Sequence, residues 1–302
     1  MTARPDSRSD DADYELIDFG DGRKLESLAG YLIDRPSPAA LDSRRAKPQS
    51  WQNADAVFDE VTKRWHFYRP WPVDLYVHGT GFRLPLRPTP FGHIGVFPEQ
   101  RENWSWLAST LKSFVASSDS AMAESEPVQA LNLFAHTGGS SLAMAVAGAA
   151  VVHLDAAKPN VMAAKEAAVA SGLGSMPIRY IVDDAAKFTA REVRRKRRYD
   201  MIVLDPPAYG HSPEGKAWRI DRDLWPLMDD ALCLLNPKQC AMLITGHSAA
   251  LDPAAILDYL RAHSLSKRAS VSLQSGRSVL RDRSQRKLDA GFYVRAIWTI
   301  KA

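Results

Sequence analysis

Leu204-Asp205-Pro206-Pro207-Ala208-Tyr209 follows the apolar run Met201-Ile202-Val203 without a break. The run reads as a buried strand. Two successive prolines end it, because each holds φ near about −65° and removes a backbone donor. The loop is therefore stiff and presents carbonyl acceptors. An aspartate that accepts stands at its start, and a tyrosine with a π face stands at its end. Such a loop can hold a planar base by its edge and by its face. A proline-terminated strand with a core tyrosine is the plainer reading of the same residues, and the surrounding sequence has to choose between them.

Outward from this loop the chain alternates strand and helix. Trp104, Leu107, Leu111 and Phe114 follow helical spacing, and residues 117–126 read as a polar loop. Strands are predicted over 130–134, 150–154, 178–182, 199–204 and 240–245, with 271–273 and 292–300 closing the sheet. Helices are predicted over 140–147, from Pro159 until Gly172 ends it, and over 223–235 and 253–262. Alternating units of this length predict an α/β, Rossmann-like, doubly wound and mostly parallel sheet over residues 101–302. Residues 13–100 differ: they are rich in turn residues, prolines and scattered aromatics such as Trp51, Trp65, Phe67 and Trp71. They read as a small β-rich accessory domain, preceded by a disordered polar tail over 1–12.

The chain has 302 residues, 45% hydrophobic and 25% charged, an ordinary composition for a globular protein. No secretory signal is read at the start, and no run approaches the roughly 18 apolar residues that a membrane span needs. The two cysteines, Cys233 and Cys240, make neither a disulfide framework nor a metal cage. Both read as small buried hydrophobes. A cytoplasmic protein without a metal is expected. The net charge of +4 is unevenly spread. Arg191, Arg194, Arg195, Lys196, Arg197 and Arg198 crowd one segment, and Lys267, Arg268, Arg277, Arg281, Arg283, Arg286, Lys287 and Arg295 form a second basic stretch. Such clusters attract phosphate backbones, although a solvated helix face is the commoner origin of a charge run.

Ligands in such sheets bind outside the carboxyl ends of the strands, and the chemically notable residues fall there. The first strand leads into Phe134-Ala135-His136-Thr137-Gly138-Gly139, where glycines allow close backbone approach. The second ends at Asp155, the third at Asp183-Asp184 and the fourth at Asp205. The glycines do not follow the dinucleotide pattern. An acidic residue at three strand ends repels phosphates and suits a cationic ligand. For each aspartate, capping of the next helix is the alternative.

From residue 131 to 209, and more loosely from 14 to 298, the chain resembles the class I S-adenosylmethionine-dependent methyltransferases related to the bacterial 23S (large-subunit) rRNA methyltransferases. The matching pieces are Asn132-Leu133-Phe134-Ala135-His136-Thr137-Gly138-Gly139, Asp155-Ala156-Ala157-Lys158, Asp183-Asp184-Ala185, Asp205-Pro206-Pro207-Ala208-Tyr209 and Phe97-Pro98-Glu99-Gln100-Arg101. His136 stands where the family more often has tyrosine or cysteine. The resemblance implies that Gln100 and Arg101 approach the methionine end of S-adenosylmethionine, that Asp155 binds ribose and that Asp184 faces the adenine amine. It assigns Asn132, Phe134, Ala135, His136, Thr137, Gly138, Ala156, Asp183, Ala185 and Asp205 to the same cofactor cleft. Asp205, Pro206, Pro207 and Tyr209 are then the catalytic loop that holds the methyl acceptor.

Carbon-5 of a pyrimidine needs a cysteine thiolate to attack its neighbour first. Family members with that chemistry carry the cysteine just after the fifth strand, where this chain has His247. The expected acceptor is therefore a nitrogen of an RNA base, with rRNA favoured. Tyr209, His247, Arg194 and Arg195 are expected on the substrate side, and His211 and Trp218 as a lid. The alternatives are DNA, a protein side chain or a small molecule as acceptor, or a non-catalytic cofactor-binding assembly factor. The intact proline loop speaks against the last.

Overall fold

In a computed structural model, residues 13–117, 127–211, 215, 217–248 and 251–300 are described. The predicted tail over 1–12 and nearly all of the predicted polar loop lie outside these residues. The chain divides into two units: residues 1–100 with Val279–Ala290, and residues 101–278 with 291–302.

In the first unit, strands β1 (Tyr14–Gly20), β2 (Arg23–Leu28), β3 (Tyr31–Pro36), β4 (Ala56–Asp59) and β5 (Arg64–Phe67) form one sheet in that order. β6 (Tyr76–Gly79) and β7 (Phe82–Pro85) pair as a separate hairpin. Asp21 and Gly22 both take positive φ, which the tight turn joining β1 to β2 requires. Leu16, Phe19 and Ala40 pack with Leu280 and Leu288 from the tip of the last hairpin. Asp18 accepts from the backbone of Ala46 and Lys47, from the Trp51 indole and from Arg286.

Glu26 is completely buried in this unit and accepts from Tyr14, Lys24 and Arg35. Burial alone pushes its carboxyl up, but the Arg35 and Lys24 charges outweigh that and bring it down to about 2. A carboxylate whose pKa falls on folding stabilises the fold above its unfolded value, 4.5, and loses that contribution as pH falls toward about 2. The first unit is expected to melt progressively lower between those pH values. Glu26→Gln should flatten the dependence in a circular-dichroism series across that range; an unchanged slope would place the titrating group elsewhere.

The second unit begins with helix α1 (Arg101–Ser117). Then β8 (Gln129–Leu133), α2 (Gly139–Val146), β9 (Ala150–Asp155), α3 (Lys158–Ala170), β10 (Ile178–Val182), α4 (Ala185–Arg194) and β11 (Met201–Leu204) alternate. A short hairpin, β12 (Tyr209–His211) and β13 (Ala217–Arg219), precedes α5 (Ile220–Leu234), β14 (Gln239–Gly246), α6 (Pro253–Ala262) and α7 (Ser264–Arg268). Two long strands, β15 (Ala269–Arg281) and β16 (Lys287–Ile300), end the chain. The main sheet has the order β10-β9-β8-β11-β14-β16-β15. The first five are parallel and β16 is antiparallel to β14. This is the doubly wound, mostly parallel sheet that the alternation predicts. Among the described residues no helix is long and apolar enough to cross a membrane.

Several features differ from the sequence reading, among them the unpredicted hairpin β12–β13 and helix α7. α4 was not anticipated, because its buried face carries Thr189 and Glu192 beside Ala185 and Phe188. Those polar groups are satisfied internally: Thr189 donates to the Ala185 carbonyl, and Glu192 accepts from Tyr199 and Arg195. The strand read over 271–273 extends from Ala269 to Arg281. Cys233 is exposed on α5 rather than buried, while Cys240 is buried at the start of β14, its thiol pushed up to about 12 by burial.

Candidate active site

Because β8, β9, β10, β11 and β14 are parallel neighbours, their carboxyl ends lie along one edge of the sheet. That edge gathers residues 134–139, Asp155, Asp183, Asp184, Asp205 and His247. The loop after β8 is tightly wound, with Phe134, His136 and Gly138 all at positive φ. Two of these are non-glycine residues, and such backbone strain collects at functional sites. A Cβ on Gly138 would lie 2.9 Å from that of Ala164, and one on Gly139 would lie 2.5 Å from the Trp104 ring. A side chain at Gly138 would push on helix α3, and one at Gly139 on the Trp104 ring.

Asp155 holds this loop in place. One of its oxygens accepts from the His136 backbone at 2.8 Å. The other accepts from the Ala157 backbone at 2.8 Å and from Asn160 at 3.1 Å. A carboxylate has about four lone-pair sites, so one direction stays open toward the edge. Burial lowers the pKa of the half-buried His136 imidazole, while the Asp155 and Asp205 charges pull it part of the way back.

The other aspartates divide their work. Asp183 accepts from the Asp184 backbone and from Arg191. Asp184 caps α4 by accepting from the Lys187 backbone at 2.9 Å, the capping role weighed as its alternative. Asp205 is different: among the described residues no donor reaches its carboxylate or the carbonyl of Pro206. The two carbonyls that follow are taken. Trp218 donates through its indole to Pro207 at 2.8 Å, and the Ile220 backbone donates to Ala208 at 3.1 Å. Tyr209 is 59% exposed beside them.

Trp218 joins two loops. Its ring packs on Phe134 at 4.9 Å between centroids while its indole holds the proline loop. The sequence marked Trp218 only as a lid residue; it is a buried clamp, and the His211 side chain lies outside the described set. Trp218→Phe keeps the ring and loses the donor. Because one hydrogen bond contributes about 1 kcal/mol, turnover is expected to fall roughly 3–10-fold with cofactor affinity nearly unchanged. Steady-state kinetics beside a cofactor titration would read this, and equal losses in both would make the residue merely structural.

The other expected site residues have these surroundings. Asn132 is buried and donates to Ser141, which bonds His153, so its amide is committed beneath the sheet's edge. Burial keeps the His153 imidazole neutral, with its pKa down to about 3. The Ala135 amide bonds the Leu154 carbonyl, and Ala185 is buried in the core. Thr137 and His136 contact each other through their side chains at 3.3 Å. Ala156 is half-buried directly after Asp155, and Gln100 is buried at the end of the first unit. His247 is exposed at the end of β14, its ring over Gly291. Arg194 and Arg195 are not brought to this edge. α4 starts there and runs away for ten residues, about 15 Å at 1.5 Å per residue. Much of the second basic stretch is committed too: Arg283 pairs with Glu15, Arg286 with Asp18 and Asp282, and Arg295 bonds Asn103.

One group missed by strand-end logic is Arg101 as an orphan. Its Nε and Nη2 atoms are buried and have no hydrogen-bond partner among the described residues. It lies one turn before Trp104, whose ring faces Gly139. Buried unsatisfied guanidinium donors call for an anion. Among the described residues no cluster of His, Cys, Asp and Glu is placed to hold a metal ion.

No protein-family model matches the chain. A solved S-adenosylmethionine-dependent methyltransferase from Agrobacterium tumefaciens is similar over 97% of this chain and 92% of its own, at 34% identity and a TM-score of 0.84. A candidate methyltransferase, SMU.776, solved with SAH, shares the fold over 96% of this chain and 76% of its own, at 16% identity and a TM-score of 0.70. The ribosomal RNA large subunit methyltransferase K/L of Shewanella frigidimarina is 30% identical over 110 residues, which are 36% of this chain and 15% of that protein.

Proposed function

The chain belongs to the S-adenosylmethionine-dependent methyltransferases, and on that premise we propose that it methylates a nitrogen of an RNA base, rRNA being favoured, by direct in-line transfer. S-adenosylmethionine is the cofactor, and when bound it supplies an electrophilic methyl group on a sulfonium. The residues fit it. The unpartnered donors of Arg101 suit its carboxylate. The open direction of Asp155 suits a ribose hydroxyl, and the Asp184 oxygen not used in capping suits the adenine amine.

The observation that carries the acceptor assignment is the pair of uncommitted acceptors, the Asp205 carboxylate and the Pro206 carbonyl, beside the exposed face of Tyr209. An amine donating to both is held with its lone pair free, and Asp205 can take the proton that leaves as the new N–C bond forms. Tyr209 stacks the base. The nearest thiols argue against a cysteine adduct, since Cys240 is buried at the far end of β14 and Cys233 faces outward on α5. The name of the Shewanella relative supports RNA as the acceptor class. Transfer of labelled methyl to total RNA, DNA and protein from cells lacking the gene tests the reading, with Asp205→Ala as control. Label in one RNA species supports it. Label confined to DNA, protein or small molecules overturns the substrate, and no label despite cofactor binding overturns the catalysis.

A further inference from the structure

We propose that the first unit carries a stacking surface for single-stranded RNA, formed by β5 and the residues after it: Trp65, Phe67, Tyr68 and Trp71. The proposal rests on RNA being the substrate class and adds a binding site outside the catalytic loop.

β5 is an edge strand, last in the order of its sheet. Edge strands are commonly blunted with charge or kept short, and exposed aromatics on them are a liability unless used. Here Phe67 is 46% and Tyr68 74% exposed. Phe67 belongs to an ordered set of rings, and the exposed Tyr68 follows it in the chain. Trp65 and Phe67 stack at 6.2 Å with an 18° interplanar angle, and Trp71 meets both edge-on at 6.3 Å. The set is anchored from below by Phe58 and Tyr31, each 5.3 Å from an indole. Both indole N–H groups are fixed, Trp65 to the Thr89 carbonyl at 2.8 Å and Trp71 to the Leu86 carbonyl at 3.0 Å. The rings are therefore rigid before any partner arrives, which lowers the ordering cost of binding.

Charge selects the occupant. Residues 61–73 hold Lys63, Arg64 and Arg69 and no acidic residue, while Asp59 of the neighbouring strand lies opposite Arg64 and pairs with His66. Arg69 pairs with Asp55 yet keeps 67% of its side chain exposed. Exposed π faces interleaved with cations match stacked bases and their phosphates. A second copy of this strip would bring like charges together. The basic run at Arg194–Arg198 lacks the aromatic half of this arrangement, because the adjoining Tyr199 is buried and bonded to Glu192.

The test uses the full chain and a fluorescent single-stranded RNA of mixed sequence, with a duplex of the same length as control, read by anisotropy. Phe67→Ala with Tyr68→Ala should weaken single-strand binding at least tenfold and change duplex binding little. Phe67→Tyr with Tyr68→Phe should restore it. Lys63→Glu with Arg64→Glu should reduce the salt dependence. Cofactor titration should be unchanged in all of them, and a thermal melt separates loss of the Phe67 ring contacts from loss of the binding surface. Binding within twofold of wild type in the alanine variant would overturn the surface. If wild type labels RNA while that variant binds and labels equally, the surface fails and the methylation reading stands. If wild type binds RNA through these residues yet transfers no methyl to it, the surface stands and the methylation reading fails. A wild-type dimer that the alanine variant abolishes would overturn RNA in favour of self-association.

Discussion

Replacing Asp205 by alanine is expected to lower turnover of methyl transfer by a factor on the order of 10² to 10⁴, while cofactor affinity moves about threefold or less. The reason lies in what Asp205 does not do. Unlike Asp155, Asp183 and Asp184, it accepts no hydrogen bond from any described residue, so it stabilises no loop and caps no helix. Its backbone is held between the buried strand β11 and two prolines. An exocyclic amine must shed a proton as its nitrogen becomes the nucleophile, and a carboxylate with free acceptors at that point lowers the barrier by taking it. Asp205→Asn should fall between wild type and alanine, because the amide oxygen still accepts but takes no proton. A loss below about tenfold with intact cofactor binding would remove proton handling from Asp205. It would favour a ring nitrogen that carries no proton, such as guanine N7.

Asp155→Ala is expected to fail differently, with cofactor affinity falling about 100-fold and the second unit melting several degrees lower. The alanine strands the three donors that now converge on the carboxylate, from His136, Ala157 and Asn160. Hydrogen bonds to a charged acceptor contribute about 1.5–3 kcal/mol each, less where water can replace them. The loop they hold includes Phe134 and His136 at positive φ, a conformation that persists only when its surroundings enforce it. Loss of the loop also releases Phe134 from the Trp218 ring, so turnover falls as well. Asp155→Asn should recover part of the stability and less of the affinity. Calorimetric titration with S-adenosylmethionine and a thermal melt separate the two effects. Unchanged affinity would detach Asp155 from the ribose, and an unchanged melt would mean the loop stands without it.

These two aspartates show how far a sequence carries. Both stand at strand ends, and the alternation of apolar runs is enough to put them on one edge of a sheet. The same reasoning put Arg194 and Arg195 on the substrate side on charge alone, and the unrecognised α4 carries them away from the edge that gathers the aspartates. Its buried Thr189 and Glu192 break the apolar period, and only their partners, Ala185, Tyr199 and Arg195, explain why they are tolerated inside. Asn132 was assigned to the cofactor from its place in a motif. Its amide is committed to Ser141, nine residues on. Trp218 sat in the sequence as a tryptophan after a loop, with nothing to mark the carbonyl it holds.

Local sequence was enough to specify the doubly wound sheet, the edge that gathers the aspartates and the stiffness of the Asp205-Pro206-Pro207 turn. Periodicity, proline and glycine act through backbone geometry within a few residues, and that is written locally. Packing across the chain settled how many acceptor directions each aspartate keeps and which arginines are already neutralised. It also decided which aromatics face outward from the first unit. Those properties depend on whether a partner from elsewhere in the chain comes within hydrogen-bond reach. Asp183 meets Arg191, Asp155 meets three donors, and Asp205 meets none among the described residues.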